Sequence, residues 1–275
     1  MRDIIKKALM PTYELYCRLW YGLRNEWTIA DVINRCRYKK EFRSLKDIHK
    51  GKRCFIIGNG PSLTASDLNM LKNEFTFAAN RIFYMFDKTE WRPTYYCSQD
   101  MVVIDDIKER LSDVLPECEK MFLIRKCYNL VPEDVRKSKK ALFYCVRYKT
   151  SHGNLKFCDD ISYHISGGST ITYAALQIAV YMGFKDIYLI GVDNNYASSS
   201  FKDNGIGEQG VKSSYFEGMP TNIKMTKPNP DVSTFSFMTA KEYADSHGIN
   251  IYNATRGGKL EVFPRKRLEE VLQDK

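Results

Sequence analysis

Short apolar runs alternate along the chain with segments whose apolar residues return at helical spacing. An apolar run of about four to eight residues, bounded by turn residues, predicts a strand that is buried on both faces. Such runs lie at residues 53–57, 75–79, 94–97, 121–124, 141–145, 186–193 and 249–253. Helices are predicted over about residues 66–73, 171–182, 235–247 and 265–273. The alternation predicts an α/β fold, a Rossmann-like parallel sheet with helices on both faces.

The first fifty residues differ from the rest in charge. Fourteen Lys and Arg against six Asp and Glu give residues 1–53 a charge of +8, out of +9 for the 275-residue chain. We therefore divide the chain into a basic, amphipathic helical extension, residues 1–50, and one Rossmann-like domain, residues 51–275. Because the domain itself is nearly neutral, we expect no nucleic-acid partner. We also expect no membrane span and no signal peptide.

Aromatic side chains are the second feature of the extension. They recur with leucines at helical spacing, at Tyr13, Tyr16, Leu19, Trp20, Leu23 and Trp27. A basic aromatic helix suits an anionic membrane surface, and residues 1–45 are the candidate contact. Such stripes more often pack on the main domain, and both interpretations stay open. The charged run over residues 35–46 is predicted to be a solvated helix face.

The eight cysteines are scattered and none forms a C-x-x-C pair. This distribution favours reduced, mostly buried thiols in a cytoplasm over a disulfide frame or a zinc site. We find no other metal-ligand spacing, so no metal ligand is assigned.

The strand at residues 53–57 runs directly into Gly58-Asn59-Gly60-Pro61-Ser62, with a helix predicted behind it. A strand, a glycine turn and a helix in this order can direct backbone N–H groups at a phosphate. Glycine would permit close backbone approach and unusual φ angles at residues 58 and 60. We interpret the turn as a nucleotide-phosphate site. An ordinary strand-to-helix turn is the alternative, because the pattern matches neither the dinucleotide fingerprint nor the P-loop.

Polar side chains follow the next two predicted strands. Asn80 and Arg81 come after the second strand, and Ser98 and Asp100 after the third. Ligands of open parallel sheets bind at the carboxyl ends of the strands, so these residues are candidates for the same crevice. Each alone could instead cap a helix.

A second glycine turn, Ser166-Gly167-Gly168-Ser169-Thr170, precedes an apolar helix. Ser169 or Thr170 would cap this helix, and its N-terminus is a candidate anion site. A glycine hinge with a routine cap is the alternative. A third glycine turn, Arg256-Gly257-Gly258-Lys259, follows the last strand and carries two cations that suit a phosphate or an acceptor.

Asp193 ends the strand at residues 186–193, where a carboxylate could bind a ribose, a metal or an acceptor hydroxyl, or cap a helix. Residues 197–232 lack clear periodicity, as a lid or binding loop would. Among the histidines only His164 adjoins a glycine turn, although a solvated side chain is the plain alternative.

These motifs together resemble one family. The turns above, with Asn80-Arg81, residues 188–193 and residues 253–259, look like the MptE-like family, named for 6-hydroxymethylpterin diphosphokinases. They also resemble bacterial family 42 sialyltransferases and the Maf flagellin glycosyltransferases. The resemblance covers roughly residues 51–265 and implies a nucleotide-binding catalytic domain.

The resemblance implies roles residue by residue. Asn59, Ser62 and Asn80 would bind the donor nucleotide, Ser169 or Thr170 would lie near its phosphate, and Tyr196 would assist the departing phosphate. The general-base histidine of the sialyltransferases is missing, because the comparable stretch reads Ser213-Ser214-Tyr215. The arginine expected for a sialic acid carboxylate is also not evident. Asp193, His164 and Asp231 are the candidate bases.

Three hypotheses follow. The first is a cytoplasmic, sialyltransferase-like glycosyltransferase, peripheral at the inner face of the cell membrane, that makes a surface polysaccharide or glycoconjugate. Its partners would be a nucleotide sugar and a glycan or lipid-linked acceptor. A CMP-linked sugar is considered, and a homo-oligomer is left open. The second is an ATP-dependent 6-hydroxymethylpterin diphosphokinase, in which Asp100 and Asp193 would hold Mg²⁺. The third is a non-catalytic nucleotide-binding module. No cofactor is assigned, and Mg²⁺ is left open.

Overall fold

The computed structural model describes residues 28–147, 155–195, 201–202, 205–206, 214–221 and 223–273. The strands in these residues are β1 (Arg53–Ile57), β2 (Thr76–Ala79), β3 (Tyr95–Ser98), β4 (Lys120–Ile124), β5 (Ala141–Tyr144), β6 (Val146–Arg147), β7 (Ile165–Ser166), β8 (Asp186–Ile190), β9 (Phe201–Lys202), β10 (Gly205–Ile206) and β11 (Asn250–Asn253). The helices are α1 (Ile29–Ser44), α2 (Ala65–Met70), α3 (Met101–Ile107), α4 (Leu111–Val114), α5 (Glu133–Lys137), α6 (Ile171–Tyr181), α7 (Pro230–Ser246) and α8 (Leu268–Gln273). Three 3₁₀ turns cover Ile82–Lys88, Lys108–Arg110 and Arg125–Cys127.

Seven strands form one sheet in the order β11-β8-β1-β2-β3-β4-β5, and every pair in it is parallel. From β1 the chain steps outward in one direction to β5, and then returns to the other side of β1 for β8 and β11. The direction of winding therefore reverses between β1 and β8, which is where open α/β sheets bind ligands. The predicted α/β fold with a parallel sheet is confirmed.

Most strands of the main sheet are covered on both faces. All four residues of β2, β3 and β5 are buried, and so are the last four of β1, β4 and β8. A strand without a solvated face has no polar positions to alternate with, so it appears in the sequence as a continuous apolar run.

Helix α1 packs on the sheet rather than extending away from it. The ring of Tyr38 lies 5.8 Å from that of Phe143 on β5, and the ring of Phe42 lies 6.5 Å from that of Phe122 on β4. Lys39 and Lys40 are exposed on the opposite face, as the charged run predicts. The predicted extension thus contributes Tyr38, Phe42 and Leu45 to the core. Residues 1–27, with the aromatic stripe, lie outside the described residues.

The N-terminus of α1 is capped by the side chains of Thr28 and Asp31. The side chain of Thr28 accepts a hydrogen bond from the Asp31 backbone N–H at 3.2 Å, and the Asp31 carboxylate accepts one from the Thr28 N–H at 3.0 Å. This reciprocal pair satisfies two backbone donors that a helix end otherwise leaves unpaired.

Three predicted helix boundaries were wrong. Helix α2 ends at Met70 instead of residue 73. Helix α7 begins at Pro230 instead of 235, because Asn229 caps it by accepting a hydrogen bond from the Val232 N–H at 3.1 Å. Helix α8 begins at Leu268 instead of 265, and its Leu268 and Val271 are buried, so it is only partly a surface helix. No helix in the described part of the chain is long and apolar enough to cross a bilayer.

We predict that α1 is required for folding. Phe42→Ala removes a buried ring between α1 and β4 and should lower the free energy of unfolding by about 3–5 kcal/mol, measured by urea denaturation. Lys40→Ala, on the exposed face of the same helix, should change it by less than about 0.5 kcal/mol. Equal small effects of the two substitutions would contradict the packing of α1 as part of the core.

Candidate active site

A cavity of about 450 Å³ opens at the carboxyl edge of the sheet, above the point where the strand order reverses. It is lined by the loops that follow β1, β2, β3, β4 and β8, by the first residues of α6, and by part of α7. Eight of the predicted site residues line it: Gly58, Asn59, Gly60, Asn80, Asp100, Ser169, Thr170 and Asp193. The topology therefore brings together residues that are up to 135 positions apart in the sequence, from Gly58 to Asp193.

Only glycine fits at positions 58 and 60 of the turn after β1, because this turn packs directly against the turn after β8. A Cβ atom on Gly58 would lie 2.2 Å from the Gly191 carbonyl oxygen, and one on Gly60 would lie 1.8 Å from Asp193 Oδ2. Neither glycine has a positive φ. The expectation of unusual φ angles at residues 58 and 60 was therefore wrong. Close packing of the two turns is the reason that no side chain fits there.

The backbone N–H groups of this turn donate within the protein. Gly58 N–H donates to Ile190 O at 2.8 Å, Gly60 N–H to Gly191 O at 2.9 Å, and Leu63 N–H to Gly60 O at 3.1 Å. The turn also faces the carboxylate of Asp193, which would repel a phosphate. This geometry does not fit the interpretation of the turn as a phosphate cradle, because the N–H groups of Gly58, Gly60 and Leu63 are already used and Pro61 has none.

Asp193 is the buried carboxyl group of the cavity. Only 7% of the residue is exposed, and Ser62 donates its hydroxyl to Asp193 Oδ2 at 2.8 Å. Burial raises the pKa of Asp193, while the hydrogen bonds from Ser62 act in the opposite direction. Ser62 does not line the cavity itself, so in this structure it orients Asp193.

Two asparagines continue the lining across β1 and β2. Asn59 Nδ2 donates to Ala79 O at 2.9 Å, while its buried Oδ1 has no hydrogen-bond partner among the described residues. Asn80 Oδ1 accepts a hydrogen bond from the Ser98 hydroxyl at 2.8 Å. Ser98 is fully buried, so it supports Asn80 from behind.

The first turn of α6 faces the cavity from the opposite side. Thr170 caps the helix by accepting a hydrogen bond from the Thr172 N–H at 3.3 Å, and residues 169–172 all line the cavity. Gly168 lies behind them and its carbonyl accepts a hydrogen bond from Ser236 of α7 at 2.8 Å. The positive end of an eleven-residue helix therefore points at the space where a ligand would sit.

Left-handed backbone is concentrated in the lining. Asn80, Ser169 and Asn194 have φ angles of 53°, 56° and 49°, and all three line the cavity. Residues other than glycine seldom adopt this conformation, and sites of ligand binding are where such strain tends to collect.

Residues 223–229 form a strap across the mouth of the cavity. The Asp100 carboxylate accepts hydrogen bonds from the N–H of Thr226 at 3.2 Å and from its hydroxyl at 3.0 Å. Arg81 donates to Lys224 O at 2.5 Å and pairs with Asp106 at 2.6 Å. Arg81 is 1% exposed and does not line the cavity, so here it anchors the strap instead of facing a nucleotide.

The third glycine turn supports Asp193 from outside the cavity. Lys259 N–H donates to the carbonyl of Asp193 at 2.7 Å. Arg256 pairs with Asp67 of α2 at 2.6 Å and with Glu269 of α8 at 3.0 Å. None of the residues 256–259 lines the cavity, so their predicted role toward a phosphate or an acceptor finds no support in this geometry.

The remaining candidates lie beside the cavity or outside the described residues. His164 precedes β7 and does not line the cavity, while its carbonyl accepts a hydrogen bond from Cys158 Sγ at 3.0 Å. Asp231 is exposed in the first turn of α7, between the lining residues Asn229 and Ser233. Tyr196 is not among the described residues.

Sequence reasoning missed several lining residues, chiefly Gln99, Lys126, Asn194, Ser214, Tyr215 and Lys227. Lys126 follows β4 just as Asn80 follows β2. The expectation that ligands bind at the carboxyl ends of the strands could therefore have identified Lys126 as well. Ser214 and Lys227 carry no such signal, because they reach the cavity through the long segment before α7. In the described ranges, no three His, Cys, Asp or Glu side chains are grouped as metal ligands.

A family model, described as 6-hydroxymethylpterin diphosphokinase MptE-like, matches residues 31–199, more than half of the chain. The chain belongs to the MptE-like family. The match covers β1 to β8 and therefore all of the strand-end loops that line the cavity. A search of curated proteins finds no match.

One solved structure shows the same fold, and two others are similar over most of the chain. The Maf glycosyltransferase from Magnetospirillum magneticum AMB-1 superposes with a TM-score of 0.50 at 15% identity, over 86% of this chain. This chain covers only 38% of the Maf protein. The sialyltransferase CstII from Campylobacter jejuni, solved with cytidine-5'-monophosphate, gives a TM-score of 0.46 at 17% identity, over 78% of this chain and 85% of CstII. The α-2,3-sialyltransferase Cst-I from the same organism gives 0.36 at 16% identity, over 79% and 81%.

We predict that the ionised Asp193 carboxylate lowers the free energy of unfolding at neutral pH. Its folded-state pKa lies above the ordinary value of 3.8, so the folded protein loses stability as pH rises through that raised pKa. The melting temperature of Asp193→Asn should therefore rise relative to that of wild type as pH is raised from 3.8 to 7. Ser62→Ala removes the hydroxyl hydrogen bond, which lowers this pKa, and should steepen the loss of stability. If the melting temperature of Asp193→Asn instead falls relative to that of wild type as pH rises, the prediction is contradicted.

Proposed function

We propose that the protein is a glycosyltransferase that uses a nucleotide-activated sugar in the synthesis of a surface polysaccharide or glycoconjugate. One observation carries the proposal. A helix N-terminus and a buried carboxyl group with a raised pKa line the same cavity, at the switch point of a parallel sheet. The first suits a phosphate leaving group and the second suits the removal of a proton.

The step we propose is direct transfer. The acceptor hydroxyl oxygen attacks the anomeric carbon, and its proton passes to the Asp193 carboxylate. The bond between that carbon and the phosphate oxygen breaks, and its electron pair leaves with the nucleotide. The N-terminus of α6, with Ser169 and Thr170, stabilises the charge that develops on the phosphate.

Asp193 is the preferred base because of its position. Of the three candidate bases it alone lines the cavity, since His164 and Asp231 do not. A carboxyl group whose pKa is raised is also a better proton acceptor near neutral pH than one at its ordinary value.

A diphosphokinase acting on 6-hydroxymethylpterin is the second candidate, because the matching family model carries that description. Asp100 and Asp193 would then hold Mg²⁺ beside the triphosphate. Both carboxylates line the cavity. However, Asp100 also accepts hydrogen bonds from Val102 N–H and Thr226, so a metal would have to compete with the strap for it.

The first test measures nucleotide binding and catalytic turnover on the same protein. Calorimetry with CMP, CDP, UDP, GDP and ATP, each with and without Mg²⁺, identifies the nucleotide. Nucleotide release is then measured from the matching sugar donors, with lactose as a model acceptor, and AMP release from ATP with 6-hydroxymethylpterin. Glycosyl transfer predicts release from a sugar donor. AMP release dependent on the pterin would establish the diphosphokinase instead, and binding without turnover would indicate the non-catalytic module.

We predict that Asp193→Asn lowers kcat for transfer by about 10²- to 10⁴-fold, since it removes a general base. The dissociation constant of the nucleotide should change little. Asp231→Asn, at the exposed start of α7, is the control and should keep wild-type kcat. If Asp193→Asn weakens nucleotide binding and leaves kcat intact, Asp193 is a ligand of the nucleotide and not the base.

We further propose that the protein is cytoplasmic and that residues 1–27 hold it at the inner face of the membrane, near a lipid-linked acceptor. A deletion that tests this must stop before α1, because Tyr38, Phe42 and Leu45 belong to the core. Removal of residues 1–27 should abolish sedimentation with vesicles that contain phosphatidylglycerol and spare nucleotide binding. Arg18→Glu with Arg24→Glu should weaken it in the full chain. Unchanged sedimentation of the deleted protein would refute the anchor.

A further inference from the structure

Large apolar side chains on the surface are concentrated at one edge of the sheet. Eight of them are exposed in the described part of the chain: Val32, Ile33, Ile48, Met70, Tyr163, Val232, Phe235 and Met238. Single exposed apolar residues are ordinary, whereas a group of them marks a surface that something else covers. The places of these eight in the fold therefore decide whether they form such a surface.

Helix α1 begins at the carboxyl edge of the sheet, the edge at which the cavity opens. Asp31, in its first turn, pairs with Arg125, the residue directly after β4, at 2.5 Å. Val32 and Ile33 follow Asp31 and are exposed. Residues 1–27 therefore join the domain at this same edge.

Tyr163 and helix α7 lie at the carboxyl edge as well. The guanidinium carbon of Arg35, on α1, lies 4.3 Å from the centre of the Tyr163 ring. Helix α7 starts at the cavity, which its Ser233 and Phe237 line. On its other side α7 exposes three apolar residues at a spacing of three, Val232, Phe235 and Met238.

The remaining two exposed apolar residues, Ile48 and Met70, lie at the opposite, amino edge. The N–H of His49, next to Ile48, donates to the carbonyl of Met182 at 2.9 Å, just beyond the C-terminus of α6. Met70 is the last residue of α2, which leads into the start of β2. Six of the eight thus belong to the edge at which the cavity opens.

Helix α1 supplies positive charge beside this group. Five cations are exposed along it and just after it, at Arg37, Lys39, Lys40, Arg43 and Lys46. Glu41 is the one acid in residues 35–46. Helix α7 contributes apolar contact without such charge, because Asp231 and Glu242 are exposed beside its apolar residues. Apolar side chains next to a row of cations suit an anionic bilayer, whose phosphate groups meet the cations while the apolar side chains enter beneath them.

We propose that the six apolar side chains at the carboxyl edge form a docking rim for an anionic phospholipid surface. The rim consists of Val32, Ile33, Tyr163, Val232, Phe235 and Met238. It acts together with residues 1–27, which join the domain at the same edge, and two weak attachments on one molecule bind far more tightly than either alone. The rim rests on the proposed function in its purpose. With the cavity turned toward the bilayer, the head group of a lipid-linked acceptor reaches Asp193 while its lipid stays in the membrane.

The first test compares the two edges of the sheet in the full chain. Association constants are measured by sedimentation with vesicles that contain phosphatidylglycerol. The α7 pair, Phe235→Ser with Met238→Ser, should lower the constant by about 10-fold or more, since two half-exposed apolar side chains together equal about one that is fully buried. The amino-edge pair, Ile48→Ser with Met70→Ser, is the matched control and should bind as wild type. Phe235 and Ile48 are 42% and 44% exposed.

The second test separates apolar contact from charge. Lys39→Ala with Lys40→Ala should lower the association constant at low salt by about 5-fold for each lysine. This loss should fade at high salt, because salt screens exposed charges. The ratio between wild type and the α7 pair should persist at both salt concentrations. If that ratio also fades at high salt, the α7 side chains do not enter the bilayer and the rim is overturned.

Three further outcomes would overturn the rim. An equal loss of binding in the α7 pair and in the amino-edge pair would show that neither edge is preferred. Wild-type binding by the α7 pair, where removal of residues 1–27 abolishes sedimentation, would leave those residues as the whole attachment. If light scattering shows a dimeric wild type and a monomeric α7 pair with unchanged vesicle binding, the rim is a contact between copies of the chain.

Turnover distinguishes failure of the rim from failure of the proposed function. Transfer is measured to lactosylceramide in the vesicles and to lactose in solution. The α7 pair should lose transfer to the lipid-linked sugar by about the factor it loses in vesicle binding, and keep transfer to lactose. If it matches wild type on both acceptors, the rim is overturned and the proposed function stands. If wild type binds no nucleotide and transfers to neither acceptor, the proposed function fails, and the sedimentation results alone decide the rim.

Discussion

The contact between the β1 and β8 turns is the constraint on which the site depends. Gly58 and Gly60 pack so closely on Gly191 and Asp193 that no Cβ atom fits between them. This packing buries Asp193 and raises its pKa, while Ser62 holds one of its oxygens. It also uses the N–H groups of Gly58 and Gly60 in hydrogen bonds to the carbonyls of Ile190 and Gly191. A larger residue at position 60 would displace the carboxyl group and with it the base that we propose.

Hydrogen-bonding capacity is distributed unevenly along the cavity as a result. The side of β1 and β8 presents the Asp193 carboxylate. The opposite side presents the N-terminus of α6, whose backbone donors favour anions. The nucleotide sugar that we propose as substrate carries hydroxyls and phosphate, so this polarity would favour one orientation.

Several charged residues after the strands hold the architecture of the site together. Arg81 and Asp106 hold the strap at Lys224, Asp100 holds it at Thr226, and Arg256 joins α2 to α8. The strap brings Lys227 and Asn229 to the cavity, which residue types at strand ends do not predict. An arginine after a strand looks the same in sequence whether it meets a phosphate or a buried carboxylate, because the partner is supplied by a distant segment.

The sequence by itself determined the seven strands of the main sheet, their parallel arrangement and the edge of the sheet where polar residues gather, but not the short strands β6, β7, β9 and β10. Those features follow from local patterns, since doubly covered strands are apolar throughout and glycine, asparagine and serine mark their ends. It also pointed to Asn59, Asn80, Asp100, Thr170 and Asp193, which do line one cavity. Only the tertiary structure decided which donors remain free, which charges are paired and that α1 belongs to the core. Each of these depends on contacts between residues far apart in the chain, such as Asn59 with Phe216 and Tyr38 with Phe143. No local pattern encodes them.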